Sequence, residues 1–183
     1  MLALLSASTW LDKVVFIDPV IDLDHLHDGM MDSLIVVDAV AYLHAHKVIH
    51  NDIKGDNIVM QDAAALTPTP ILLDFELSKV AGADLVALYY GDSGMTSFAA
   101  PELISGMQGR PTAKTDVYSL GRVLYDLFYP GRLSATARVG HVAELEFPDG
   151  NKRLEKLICA MMAGDPADRP HASDVLHDAF FTS

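Results

Sequence analysis

The sequence predicts one mainly helical domain with a few short β-strands. Three observations lead there. Apolar residues recur at helical spacing in long windows, above all from Met30 to His46 and from Asp116 to Phe128. The β-branched runs are short and bounded by turn residues. The chain has 183 residues, 50% of them hydrophobic, enough for one well-buried domain and hardly for two.

Val14-Val15-Phe16-Ile17 reads as a strand stopped by Asp18-Pro19. From Met30 to His46 the apolar positions Leu34, Val37, Ala41 and Tyr42, widened by Ile35, Val36 and Val40, predict a largely buried helix. Val48-Ile49 and Ile58-Val59-Met60 flank a polar tip, as in a small hairpin. Ala63 to Pro70 is a connector into Ile71-Leu72-Leu73, a short strand ending at Asp74. Glu76 to Ala99, interrupted by Gly82, Gly91 and Gly94, reads as a long loop, and such loops in compact domains are usually functional or disordered. Beyond Pro101 helices are expected at Pro101–Ser105, Asp116–Phe128, Arg153–Met162 and Ser173–Phe180. Gly131 to Gly150 has no clear pattern, and no internal repeat or low-complexity tract is present.

The formal net charge of −12 disfavours binding to phosphate backbones or anionic lipid, so neither nucleic acid nor a membrane is expected as a partner. No apolar run approaches the roughly 20 residues that span a bilayer. The one cysteine, Cys159, excludes an internal disulfide and suits a reducing compartment, cytoplasmic or nuclear. Its neighbours Leu157, Ile158, Met161 and Met162 predict a buried, inert thiol. The acidic stretch Asp22 to Asp28 lacks the oxygen ligand and glutamate of a calcium loop and reads as a solvated turn. His44, His46 and His50 are close in sequence, but zinc binding there is not the expected reading.

The chemistry concentrates in His50-Asn51-Asp52-Ile53-Lys54-Gly55-Asp56-Asn57 and at Asp74. Transfer of a phosphoryl group from ATP asks a protein to hold magnesium, neutralise the phosphates and place a hydroxyl in line. Magnesium takes oxygen ligands. Asp52, Lys54, Asn57 and Asp74 supply that set, with the two short strands bringing Asp74 beside the loop of Asp52.

With these residues the chain resembles the eukaryotic protein kinases, over nearly its whole length. The first stretch resembles the family's H-R-D-x-K-x-x-N, Asp74-Phe75-Glu76 its D-F-G, and Ala100-Pro101-Glu102 its A-P-E. Asp116 to Gly121 is similar to D-x-W-S-L-G, and Asp165 to Pro170 to the closing D-P-x-x-R-P. The resemblance implies a kinase large lobe over residues 21–183, a remnant of the small lobe and hinge over residues 1–20, and a small lobe otherwise largely absent. It implies that Asp52 orients the acceptor hydroxyl and takes its proton, and that Lys54 reaches the transferring phosphate, as in Ser/Thr kinases. Asn57 and Asp74 would hold Mg2+, Val59 would floor the adenine of ATP, and the backbone from Asp18 to Val20 would meet its edge. Asp116 would anchor the loop near His50, and Glu102 would pair with Arg169.

Three departures stand out. Asn51 replaces the arginine beside Asp52, which removes the cation that meets an activation-loop phosphate. Glu76 replaces glycine, adding a carboxylate near the metal site, and Met95 stands where threonine is usual. No G-x-G-x-x-G loop and no V-A-x-K-like strand occurs. Losing one preorganised charge costs about 10²–10³ in rate, so the chain alone is expected to be inactive. The expected function is therefore Ser/Thr phosphotransfer to a protein substrate when a small lobe completes the site. The alternatives are a catalytically silent, pseudokinase-like binding module and a small-molecule kinase, which Ala100-Pro101-Glu102 and Asp165 to Pro170 disfavour. The mean hydropathy of +0.22 fits an apolar upper face hidden by a separate small lobe or a partner. The purified chain should therefore self-associate in sedimentation experiments, and a clean monomer at high concentration would count against that face.

Overall fold

The computed structural model describes residues 29–61, 69–82, 98–103, 110–132 and 145–182. The predicted strand at Val14–Ile17, the hinge at Asp18 to Val20, the acidic turn and Met95 lie outside them, as does most of the Gly131 to Gly150 stretch. Helix α1 (Gly29–Ala45) leads into β1 (Val48–Ile49), a 3-10 turn at Gly55–Asn57, and β2 (Ile58–Gln61). Then come β3 (Thr69–Leu72), β4 (Lys79–Val80) and a 3-10 turn at Pro101–Leu103. The remainder is α2 (Ala113–Phe128), α3 (Lys152–Met161), a turn at Pro166–Asp168, α4 (Ala172–Val175) and α5 (Ala179–Thr182). Mainly helical with short strands is thus the observed class. Among the described residues no helix is long and apolar enough to cross a membrane.

The stripe that α1 buries is narrower than its apolar content suggests. Val36, Val37 and Val40 enter the core with Ser33, whereas Tyr42 is exposed and Leu34 and Ile35 are half-buried. The i, i+3, i+4 rule selects one face, and Tyr42 falls beside it. Helix α1 ends without glycine: Lys47 takes the left-handed conformation (φ 61°) that closes such termini.

The expected hairpin between Val48-Ile49 and Ile58–Met60 does not form. Instead β1 pairs antiparallel with β4, and β2 with β3 in the register Ile58↔Leu72, Val59↔Ile71. The amides of His50 and Asn51 bond to the Asp116 carboxylate rather than across a hairpin, and the 3-10 turn redirects the chain. Strand β4 lies inside what reads as loop, because two residues give no periodicity to detect. The predicted helix Ser173–Phe180 is two short helices, α4 and α5. The Pro101 helix is a three-residue 3-10 turn before residues 104–109, which lie outside the described chain. Cys159 is half-buried rather than buried; what burial it has raises its pKa and keeps the thiol protonated.

Helix α2 is the central strut. Thr112 caps it: its Oγ1 accepts from Lys114 N at 3.2 Å, while Thr115 Oγ1 accepts from Thr112 N at 3.1 Å, closing a capping box. Val117, Tyr118, Leu120, Leu124 and Tyr125 are buried along it, facing Leu154, Ile158 and Met161 of α3 within one core. Close approach of the two helices depends on Gly121. A β-carbon there would lie 2.9 Å from both Met161 Cβ and Met162 Cγ. Gly121→Ala is therefore expected to destabilise the fold by about 1–3 kcal/mol through overpacking, measured by urea denaturation. A neutral result would show that the interface is looser than this contact requires.

Candidate active site

The loop from His50 to Asn57 hangs from α2. Asp116, in the first turn of α2 and 1% exposed, accepts from His50 N and Asn51 N, both at 2.8 Å, through its two carboxylate oxygens. A third contact, from His44 Nε2 at 2.9 Å, comes from the last turn of α1. A buried carboxylate is tolerated only when fully hydrogen-bonded, and three donors meet that condition here. The chain leaves the anchor through Asn51 in the left-handed conformation (φ 69°), which asparagine tolerates better than most residues.

His50 joins the two halves of the site. The Asp52 amide donates to its Nδ1 at 3.3 Å, so the ring proton sits on Nε2 and is donated to the Leu73 carbonyl at 3.0 Å. Burial lowers the His50 pKa, and the charges of Asp116, Asp52 and Asp74 only partly oppose this, so the ring is held neutral. From the other side the Leu73 amide donates to the Asn57 carbonyl at 2.8 Å. Leu73 is thereby fixed at both its polar groups, and Asp74 follows it with a left-handed backbone (φ 64°).

Of the residues singled out in the sequence, Asp52, Lys54 and Asn57 form one cluster. Lys54 Nζ lies 2.7 Å from Asp52 Oδ2, and Asn57 Nδ2 donates to the same oxygen at 3.0 Å and to the Asp52 carbonyl at 2.8 Å. This orients the carboxylate and leaves the Asn57 amide oxygen as its atom able to meet a cation. Asp74 is exposed, with one carboxylate oxygen accepting from the Glu76 amide at 3.3 Å. Both carboxylates are close enough to His50 to act on its charge. Val59, half-buried in β2, stands opposite Ile71. Asp18 and Val20 lie outside the described residues.

One more contact was visible as a pair of residues in the motifs. Arg169, 1% exposed, donates in a fork to Glu102 at 2.6 and 2.8 Å, to the Ala163 and Lys114 carbonyls, and stacks over Tyr118. The three clustered histidines diverge. His44 goes to Asp116, His46 donates to the Tyr42 carbonyl at 2.8 Å, and His50 goes to Leu73. Sequence reading missed the role of His44 and that of Ser78, whose hydroxyl donates to the His50 carbonyl at 3.2 Å. No local pattern announces either, since both partners are remote in sequence.

The protein kinase domain model matches residues 29–181, from the start of α1 into α5. The chain belongs to the protein kinase family. A protein of Acanthamoeba polyphaga mimivirus named as a serine/threonine-protein kinase is 33% identical over 157 residues, covering 80% of this chain and 54% of that one. The serine/threonine-protein kinase PkaB of Streptomyces coelicolor is 30% identical over 152 residues, covering 76% of this chain and 36% of its own. The ovarian-specific serine/threonine-protein kinase Lok of Drosophila melanogaster is 32% identical over 155 residues, covering 78% of this chain and 32% of its own. The kinase chain described here thus spans about half or less of the length of these relatives.

The neutral His50 gives the kinase domain a pH signature. Its folded pKa lies below the ordinary 6.5, so the folded state takes up the proton less readily than the unfolded one. That contribution to stability is whole above pH 6.5 and is lost as pH falls toward the folded pKa. Urea midpoints measured without divalent cations should fall between about pH 7.5 and about pH 5.5, and fall less in His50→Phe. Equal slopes in both proteins would remove His50 as the cause.

Proposed function

We propose that this chain is the acceptor- and metal-handling part of a Ser/Thr protein kinase, active when a small lobe completes it. Residues 21–183 are then its large lobe, and residues 1–20 belong to the hinge side. The observation that carries this reading is the Asp52 carboxylate held between Lys54 and Asn57, with Asp74 tied above it through His50 and Leu73. In the reaction the bond between the γ-phosphorus of ATP and its β-bridging oxygen breaks. A bond from a Ser or Thr oxygen of a protein substrate forms, and the hydroxyl proton passes to Asp52. ADP leaves. Lys54, paired with Asp52, would balance charge on the transferring group while keeping the carboxylate in place.

The donor set fits magnesium: an exposed carboxylate at Asp74 and the amide oxygen of Asn57 are hard oxygen ligands. Bound there, the ion would supply positive charge to offset that of the phosphates. The rest of the chemistry lies with the chain, which orients the acceptor and holds its proton. Val59 would support the adenine, with the backbone from Asp18 to Val20 at its edge. Charges over the α- and β-phosphates would come from the small lobe. Phe75, 48% exposed at the edge of the His50 ring, supports a partner or small lobe seated over it.

The second reading, a silent binding module, draws on Glu76. Its exposed side chain stands two residues from Asp74, where a second carboxylate repels phosphate as readily as it binds a cation. One experiment separates the two. The chain is mixed with a separately produced Ser/Thr kinase small lobe, ATP, Mg2+ and a basic peptide. Phosphorylation is expected, lowered about 10²–10³-fold by Asp52→Asn, and Asp74→Ala should abolish Mg2+-dependent nucleotide binding in thermal-shift assays. Undetectable nucleotide binding by the unmodified mixture would favour the silent module.

A further inference from the structure

The segment after Asp74 lies antiparallel along the stretch before Asp52. The Ala81 amide donates to the Lys47 carbonyl at 2.7 Å, and β4 pairs with β1 in the register Val48↔Val80, Ile49↔Lys79. Two side chains continue this zipper past the strand ends, toward the site. Ser78 Oγ donates to the His50 carbonyl at 3.2 Å, and Asn51 Nδ2 donates to the Leu77 carbonyl at 3.4 Å. Two-residue strands are too short to hold by themselves, so these added bonds carry weight.

The consequence falls on Asp74. On one side Leu73 is held by Asn57 and His50; on the other, Leu77 and Ser78 are held by Asn51 and His50. Asp74, Phe75 and Glu76 form a three-residue arch between two anchored ends, and the left-handed backbone of Asp74 belongs to that arch. Asn51 meets two demands at once. Its own left-handed backbone suits asparagine, and its short amide reaches Leu77 from a position 8% exposed, where the long cation of the family pattern is replaced by a neutral group.

We propose that Asn51 and Ser78 form an uncharged latch that holds the Asp74–Glu76 arch in its cation-facing arrangement. Regulation of the site then differs in kind from a switch built on a phosphate and an arginine, because ordering of the arch depends on neutral hydrogen bonds. The proposal rests on the reading of Asp74 as a metal ligand, and its test separates the two.

Amide hydrogen exchange is followed by NMR in the 183-residue chain and in Asn51→Asp, Ser78→Ala and Ser78→Thr. Asn51→Asp keeps the shape and the tolerance of the left-handed backbone but removes the donor. Exchange at Ala81 should quicken about tenfold in Asn51→Asp and Ser78→Ala, the scale of one net hydrogen bond, and return to normal in Ser78→Thr. The Met162 amide, bonded to Ile158 in the last turn of α3, should be unchanged throughout. Raising salt from about 50 to about 500 mM should leave Ala81 protection in the unmodified chain as it is. In parallel, Mn2+ should broaden the Asp74 amide, with about tenfold more ion needed in the two disruptive variants.

Unchanged Ala81 exchange in Asn51→Asp and Ser78→Ala overturns the latch. So does equal quickening at Ala81 and Met162, which would mark a global loss of stability. Mn2+ failing to broaden Asp74 in the unmodified chain, while Ala81 exchange responds as expected, overturns the metal-ligand reading and leaves the latch standing as a structural device.

Discussion

The Asp116 carboxylate is the constraint on which the rest of the site depends. Buried at 1% exposure, it binds the amides of His50 and Asn51 and the imidazole of His44. Its place in the first turn of α2 helps, since the positive end of a helix favours a negative charge there. The Thr112–Thr115 capping box fixes that same turn. The loop bearing Asp52 is therefore attached, through two backbone amides, to a helix buried along much of its length.

Helix α2 also gathers pieces that are remote in the chain. Gly121 admits α3 at close range, and the turn at Asp165–Arg169 returns a guanidinium to Glu102 beside the Ala100 segment. The Arg169 fork fills its donor positions with a carboxylate and three carbonyls, of Ala163, Lys114 and Gly164, while its guanidinium lies over Tyr118. These contacts tie α2, α3 and the Pro101 turn together, while the Asp74 side chain is exposed.

Protonation is arranged to match. A neutral His50 accepts from the Asp52 amide, donates to the Leu73 carbonyl and adds no positive charge near Asp74. Lys54 is the cation beside Asp52, within 2.7 Å of the carboxylate. A carboxylate held by one cation and one amide donor keeps a defined direction, which the proposed phosphotransfer to a hydroxyl would require.

The sequence by itself determined the family, the helical class and the cluster Asp52, Lys54, Asn57. These follow from residues close together in the chain, where spacing translates directly into geometry. The tie of Asp116 to the loop near His50 and the pairing of Glu102 with Arg169 were also legible, through motifs whose members occur in order. Only the tertiary structure decided which strands pair, that His44 completes the Asp116 anchor, and that Asn51 and Ser78 tie down the segment after Asp74. Two-residue strands carry no period, and a hydrogen bond between residues about 26 to 72 positions apart leaves no local trace. The buried face of α1 was decided the same way: apolar residues surround the helix, and packing alone selected Val36, Val37 and Val40 while leaving Tyr42 in solvent.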